Sequence, residues 1–138
     1  MYETQADRNN EQRVAELLAE KGYTLVKLPL QYKLDFAIIE DELDKVVGFA
    51  ELKARTVEMN KYPTAMISLA KVVKAHDISS CTNLPSYFIV LYKDALVRIN
   101  FASEFSVNIG GRSDRGDPQD RDVCAYYPIE GFTVVSQF

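Results

Sequence analysis

Asp35, Glu51 and Lys53 are the residues of this chain whose types and spacing could do chemistry. They lie in the stretch 32–55, YKLDFAIIEDELDKVVGFAELKAR, where two apolar runs flank an acidic turn. Val47, Phe49, Glu51 and Lys53 are each two residues apart, so an extended chain would point all four to one face. A carboxylate and an ammonium that close an otherwise apolar strand face are costly unless they are paired or bound to a metal. Such a break in pattern is expected where a segment does more than fold.

Two carboxylates on neighbouring strands, Asp35 and Glu51, could hold a hard divalent cation such as Mg²⁺, which prefers oxygen ligands and keeps several waters. Lys53, two residues beyond Glu51, would sit within reach of a water polarised by that cation and could also neutralise charge developing on a phosphate. A cation, an attacking water and a lysine together are what in-line hydrolysis of a phosphodiester requires. Glu11 could add a third carboxylate, through water or at a second ion. The purely structural alternative is a Glu51–Lys53 or Asp35–Lys53 ion pair that ties strands together, with Glu11 as a first-turn acid favoured by the helix dipole.

These residues need elements to position them. Val14, Ala15, Leu17 and Leu18 have helical spacing within 8–21, with Gly22 as a stop and Asn9 or Asn10 as a cap, and Glu11 extends the Val14–Leu18 stripe. Residues 23–30, 33–40 and 46–54 read as three strands, the last two joined as a hairpin through 41–45. Residues 56–63 read as a loop beside the site. A second helix is predicted over 64–79, with Met66, Leu69, Ala70 and Val73 on one face, Lys71 and Lys74 on a flank and Ser68 one turn before Lys71. The flanking lysines could equally be a solvated edge with snorkelling stems. The apolar run 87–92 suits a strand covered on both faces, and 95–101 pairs with it as a hairpin. Residues 108–122 read as a plain charged surface loop in which aspartates offset Arg112, Arg115 and Arg121, and a last strand is expected over 132–135.

The totals set the class. A chain of 138 residues, 47% hydrophobic, suits a single domain over 1–138 with one core and excludes a disordered chain. No apolar run approaches the roughly 20 residues of a membrane span, and the N-terminus is polar, so a soluble cytoplasmic protein with no membrane partner is expected. Cys81 and Cys124 lie in no metal-ligand spacing and read as reduced thiols. His76 is the one histidine and Gly110–Gly111 lacks the lysine of a phosphate loop, which argues against zinc, serine or cysteine hydrolases and against nucleotide-loop enzymes. A net charge of −4 argues against a surface that grips nucleic acid all over, though not against an acidic metal site acting on phosphates.

Leu34-Asp35, fifteen intervening residues and Glu51-Leu52-Lys53 together resemble the bipartite motif of the PD-(D/E)XK nuclease superfamily. Leu34 stands where that motif has proline, and the acidic balance departs from the basic character of junction resolvases. The resemblance covers about residues 8–93. It implies an α/β fold with a restriction-endonuclease-like αβββαβ core over about 8–101, a mixed central sheet flanked by helices, and a C-terminal extension over 102–138. It implies that Asp35, Glu51 and the Leu52 carbonyl ligate Mg²⁺, with Mn²⁺ able to substitute, that Glu11 assists, and that Lys53 acts on the water. Lys71 looks like the basic residue many members carry on the following helix, accompanied by Ser68; Arg55, Lys61 and Lys74 complete the expected DNA-contacting set.

Small size and a leading helix make the chain most similar to archaeal Holliday-junction resolvases and VRR-Nuc nucleases, a look shared by phage-encoded nucleases. The expected activity is an Mg²⁺-dependent DNA endonuclease, structure-selective and dimeric, in the cytoplasm of the host cell if phage-encoded. Two sites would be needed to cut both strands of a junction, and a symmetric dimer supplies them. Phe132, Val134, Val135 and Phe138 could form its interface or could be core. The alternatives are a non-catalytic nucleic-acid-binding accessory protein with the same fold, or a nuclease acting on other DNA or RNA structures.

Overall fold

The computed structural model describes residues 4–111 and 121–138. Its helices are α1 (Gln5–Ala19) and α2 (Leu69–Thr82). Its strands are β1 (Tyr23–Lys27), β2 (Phe36–Glu40), β3 (Lys45–Ala54), β4 (Thr64–Ser68), β5 (Ser86–Leu91), β6 (Ala95–Asn100), β7 (Ser106–Gly111), β8 (Arg121–Pro128) and β9 (Thr133–Gln137). Six of them form one sheet in the order β1-β2-β3-β5-β6-β9, and three form a second in the order β4-β8-β7. The large sheet is mixed: β3 and β5 run parallel, and its other neighbours are antiparallel. A parallel pair needs a long crossover, and β4 with α2 supplies it.

Each face of the large sheet is covered, as the near-continuous apolar run in β5 requires. On one side α1 brings Val14 and Leu18 against Phe36, Ile38, Ala50, Ile89, Leu91 and Leu96. On the other, Val72 and Ala75 of α2 and Ala65, Ile67, Ala125 and Tyr127 of the small sheet pack on Ala37, Phe49, Phe88 and Val90. Phe88 sits at the centre of that layer, stacked on Phe101 and edge-on to Tyr127 and Phe132. Burying each such ring contributes about 1.5–3 kcal/mol. The Tyr127 hydroxyl is buried and donates to the Phe101 carbonyl at 2.8 Å, and burial holds its ionisation well above the ordinary tyrosine range. Tyr127→Phe is expected to cost about 1–2 kcal/mol in denaturant unfolding, because it removes the donor from a buried carbonyl.

Several elements differ from the sequence reading. The first helix starts earlier, because Thr4 accepts from the Asp7 amide while the Asp7 carboxylate accepts from the Thr4 amide, a reciprocal cap that makes Asn9 and Asn10 helix interior. Gly22 follows the helix at φ +90°, the left-handed conformation that glycine adopts without penalty. β1 ends at Lys27 and β2 begins only at Phe36, because Pro29 cannot donate to a ladder and a 3₁₀ turn, Leu30–Tyr32, intervenes. Residues 64–68 are strand rather than helix, so the buried face of α2 is Val72 and Ala75, while Ala70 and Val73 are exposed. Alternation settles that stretch: Ala65 and Ile67 are buried, and Thr64, Met66 and Ser68 are less so.

The expected loop over 108–122 is strand at both ends, through Gly111 in β7 and from Arg121 in β8; its middle, with Arg112 and Arg115, lies outside the described residues. Arg121 is exposed. Phe132 is core, Val135 is partly buried, and Val134 and Phe138 are exposed on or after the edge strand β9. Cys124 is buried and Cys81 exposed, and both thiols are free. His76 is exposed on α2. Among the described residues no helix is long and apolar enough to cross a membrane.

Candidate active site

The pairing of β2 with β3 sets Phe36 opposite Ala50, and continuing that register places Asp35 opposite Glu51. Cross-strand partners in an antiparallel pair project to the same side within about 5 Å of each other at Cβ. The two carboxylates are therefore brought together by the hairpin register, with the turn at Asp44 in a left-handed conformation closing it. One Asp35 oxygen accepts from the Leu52 amide at 3.0 Å, which fixes the aspartate against the strand that carries Glu51.

The alternation on β3 holds for Phe49, Glu51 and Lys53 but not for Val47. A bulge shifts the register between Ile38 and Ile39, leaving Val47 as the extra residue, and Val47 packs on the α1 side while Phe49 packs on the α2 side. Next to it, Gly48 is required by a close approach: a Cβ there would lie 2.8 Å from the Pro85 carbonyl oxygen, which accepts from the Phe49 amide as β5 begins.

Glu51 is 3% exposed, the one acidic side chain in the buried class among the described residues. One of its oxygens, Oε2, lies 3.3 Å from Lys71 Nζ, and the other, Oε1, is buried with no hydrogen-bond partner. Burial raises its pKa from the ordinary 4.5 to about 7; the Asp35 carboxylate adds to the rise, and Lys71 and Lys53 oppose it. Lys71 Nζ also donates to the Lys33 carbonyl at 2.8 Å. Lys53 is half-buried, and among the described residues its ammonium forms no ion pair or hydrogen bond. The strand-tying pairs Glu51–Lys53 and Asp35–Lys53 are thus not formed: Glu51 turns to α2 instead, and Asp35 to a backbone amide.

The remaining predicted residues divide. Glu11 forms an ion pair with Lys27 at 2.8 Å, and the Lys27 ammonium also lies over the Phe36 ring. Among the described residues no three His, Cys, Asp or Glu side chains gather as a ligand cluster, so the donors brought together are the pair Asp35 and Glu51 beside the Leu52 backbone. Ser68 caps α2, accepting from the Ala70 amide, and its hydroxyl donates to Asp122 at 2.7 Å. Arg55 donates to the Met66 carbonyl at 3.2 Å. Lys61 and Lys74 are exposed. Sequence reasoning missed the Lys33 carbonyl and Asp122. The first is presented by a left-handed lysine (φ 62°), with no glycine or asparagine to signal the turn; the second was read as part of a loop.

The family described as "Phage putative PDDEXK endonuclease" matches residues 1–135. The chain belongs to that family. Among solved structures it is similar to Hjc of Archaeoglobus fulgidus, a Holliday junction resolvase from an archaeal hyperthermophile. The similarity has a TM-score of 0.54 and 12% sequence identity, and covers 71% of this chain and 74% of that one. No curated protein sequence matches. The PDDEXK fold expected from the motif is therefore present: a mixed central sheet between helices, with helix, three strands, crossover helix and strand in that order. Beyond that expected order, the crossover contains β4 and a second sheet built with β7 and β8.

Proposed function

We propose that the protein is a metal-dependent DNA endonuclease whose centre is Asp35, Glu51, the Leu52 carbonyl and Lys53. The observation that carries this reading is the buried Glu51 oxygen without a partner, on a carboxylate set opposite a second one. An orphaned buried oxygen costs about 1–3 kcal/mol or more when charged, and a fold keeps it only where something else satisfies it. Two facing carboxylates fit a hard cation with oxygen ligands, Mg²⁺ with Mn²⁺ as substitute. Once bound, the ion would supply Lewis acidity toward a phosphate oxygen and toward water.

The chain's own groups do the rest. Asp35 is oriented by the Leu52 amide, so its carboxylate keeps one position relative to Glu51. Lys53, on the Glu51 side of β3 and without a partner among the described residues, is free to hold the attacking water or to meet charge growing on the phosphate. Exposed Lys61 and Lys74 would attract a phosphate backbone together with Arg55, Ser68 and Lys71, which are engaged in contacts of their own. Glu11 would assist through water, in competition with its Lys27 pair. Similarity to a junction resolvase favours branched DNA as substrate and a two-fold dimer as the working form, acting in the cytoplasm of the phage's host.

The test is cleavage of linear duplex, single-stranded, flap and four-way-junction DNA with Mg²⁺, with Mn²⁺ and with chelator, comparing wild type with Glu51→Ala. Cutting that needs the ion and vanishes in the variant is expected, fastest on the junction. DNA bound but never cut would favour the accessory-protein reading instead.

A further inference from the structure

We propose that Lys71 is a resident counter-ion: its ammonium occupies Glu51 in the metal-free protein and lets go when a divalent cation binds. This rests on the reading of the centre above. Lys71 Nζ sits 3.3 Å from Glu51 Oε2 and 2.8 Å from the Lys33 carbonyl oxygen. It therefore has two anchors, of which only one is the carboxylate. A buried carboxyl stays ionised more readily beside a positive charge, and among the described residues Lys71 is the cation that touches it. Yet the pairing is one-sided, because Oε1 keeps no partner. A guanidinium would have spanned both oxygens, whereas a lysine is a single point charge on a flexible stem.

These features suit a contact made to be broken. The Lys71 side chain is 32% exposed against 5% for that of Glu51, so solvent reaches the lysine more readily than the carboxylate. Two positive charges sharing one carboxylate repel strongly at low dielectric, so the divalent ion and the Lys71 contact oppose each other. On release, Lys71 keeps the Lys33 carbonyl as a tether. Its charge then stays at the mouth of the site, where an arriving phosphate would meet it.

The test is binding of Mn²⁺ alone, by calorimetry at pH 8.5 and fixed ionic strength, to the full-length chain. Lys71→Met and Lys71→Gln remove the competing charge, and thermal melting of both shows whether each is folded. Affinity for Mn²⁺ is expected to rise roughly tenfold or more in both variants, because a like charge a few ångströms away opposes the ion. Unchanged or weaker binding in folded variants overturns the exchange and leaves Lys71–Glu51 a fixed pair. Glu51→Gln separates this from the parent reading. If wild type takes up no Mn²⁺, or Glu51→Gln binds it as well as wild type, the centre itself is misplaced and the exchange falls with it.

Discussion

Lys53→Ala is expected to lower metal-dependent DNA cleavage by roughly a hundredfold or more, the scale of a positioned proton-transfer group. It is expected to leave folding close to wild type and Mn²⁺ binding no weaker, because the ammonium has no ion pair or hydrogen bond among the described residues and its charge only opposes a second cation. The reasoning is local. Lys53 shares the α2 side of β3 with Glu51 by strand alternation, and its charge pulls down the Glu51 pKa, so it lies within electrostatic range of the carboxylate without pairing to it. Single-turnover rates with saturating metal check the result. An unfolded Lys53→Ala protein would mean instead that this lysine is structural.

Glu51→Gln is expected to abolish cleavage and, at pH 8 without metal, to stabilise the protein by about 2 kcal/mol. The sign follows from the direction of the shift. Glu51 has a folded-state pKa raised from 4.5 to about 7, so between those values the folded chain holds a proton that the unfolded chain has released. Stability therefore falls as pH rises through that window, and above about pH 7 the full penalty remains, roughly 3 kcal/mol for a shift of this size. Glutamine keeps the shape and an acceptor for Lys71 but carries no charge to desolvate. Its advantage should vanish near pH 4, where the wild-type carboxyl is already neutral. In thermal melts the gain at pH 8 corresponds to roughly 6 °C for a domain of this size. Mg²⁺ should raise the melting temperature of wild type and not of the variant. A variant less stable than wild type at pH 8 would show that the Lys71 pair outweighs the burial of charge.

The proposed centre stands out in the sequence because its residues violate strand patterning. Asp35 before one apolar run and Glu51 with Lys53 at the end of the next stand out wherever an alternating strand is expected, and hairpin register then brings the carboxylates together. The β2–β3 hairpin, the strand β1, the helix α1 and the β5–β6 hairpin followed from periodicity and turn signals. Val47 was misplaced because a bulge leaves the residue types unchanged while reversing which face they point to. Residues 64–68 were read as helix because TAMIS joined to an amphipathic helix has apolar positions compatible with either period; its pairing with β8 decided for strand, a long-range contact with no local trace. That same β8 begins in a stretch whose glycines and charges read as loop. Lys71 was singled out as basic, but its hold on Glu51 depends on how α2 docks over the sheet, which one sequence does not express.

The most direct measurement is a crystal of the protein grown with Mn²⁺ and recorded at a wavelength where manganese scatters anomalously. A single strong peak in contact with the Asp35 and Glu51 carboxylates, with the Lys71 ammonium withdrawn from Glu51, is the expected result. A protein that cleaves DNA in Mn²⁺ yet shows the ion elsewhere, with Glu51 still held by Lys71, would contradict the assignment of the centre.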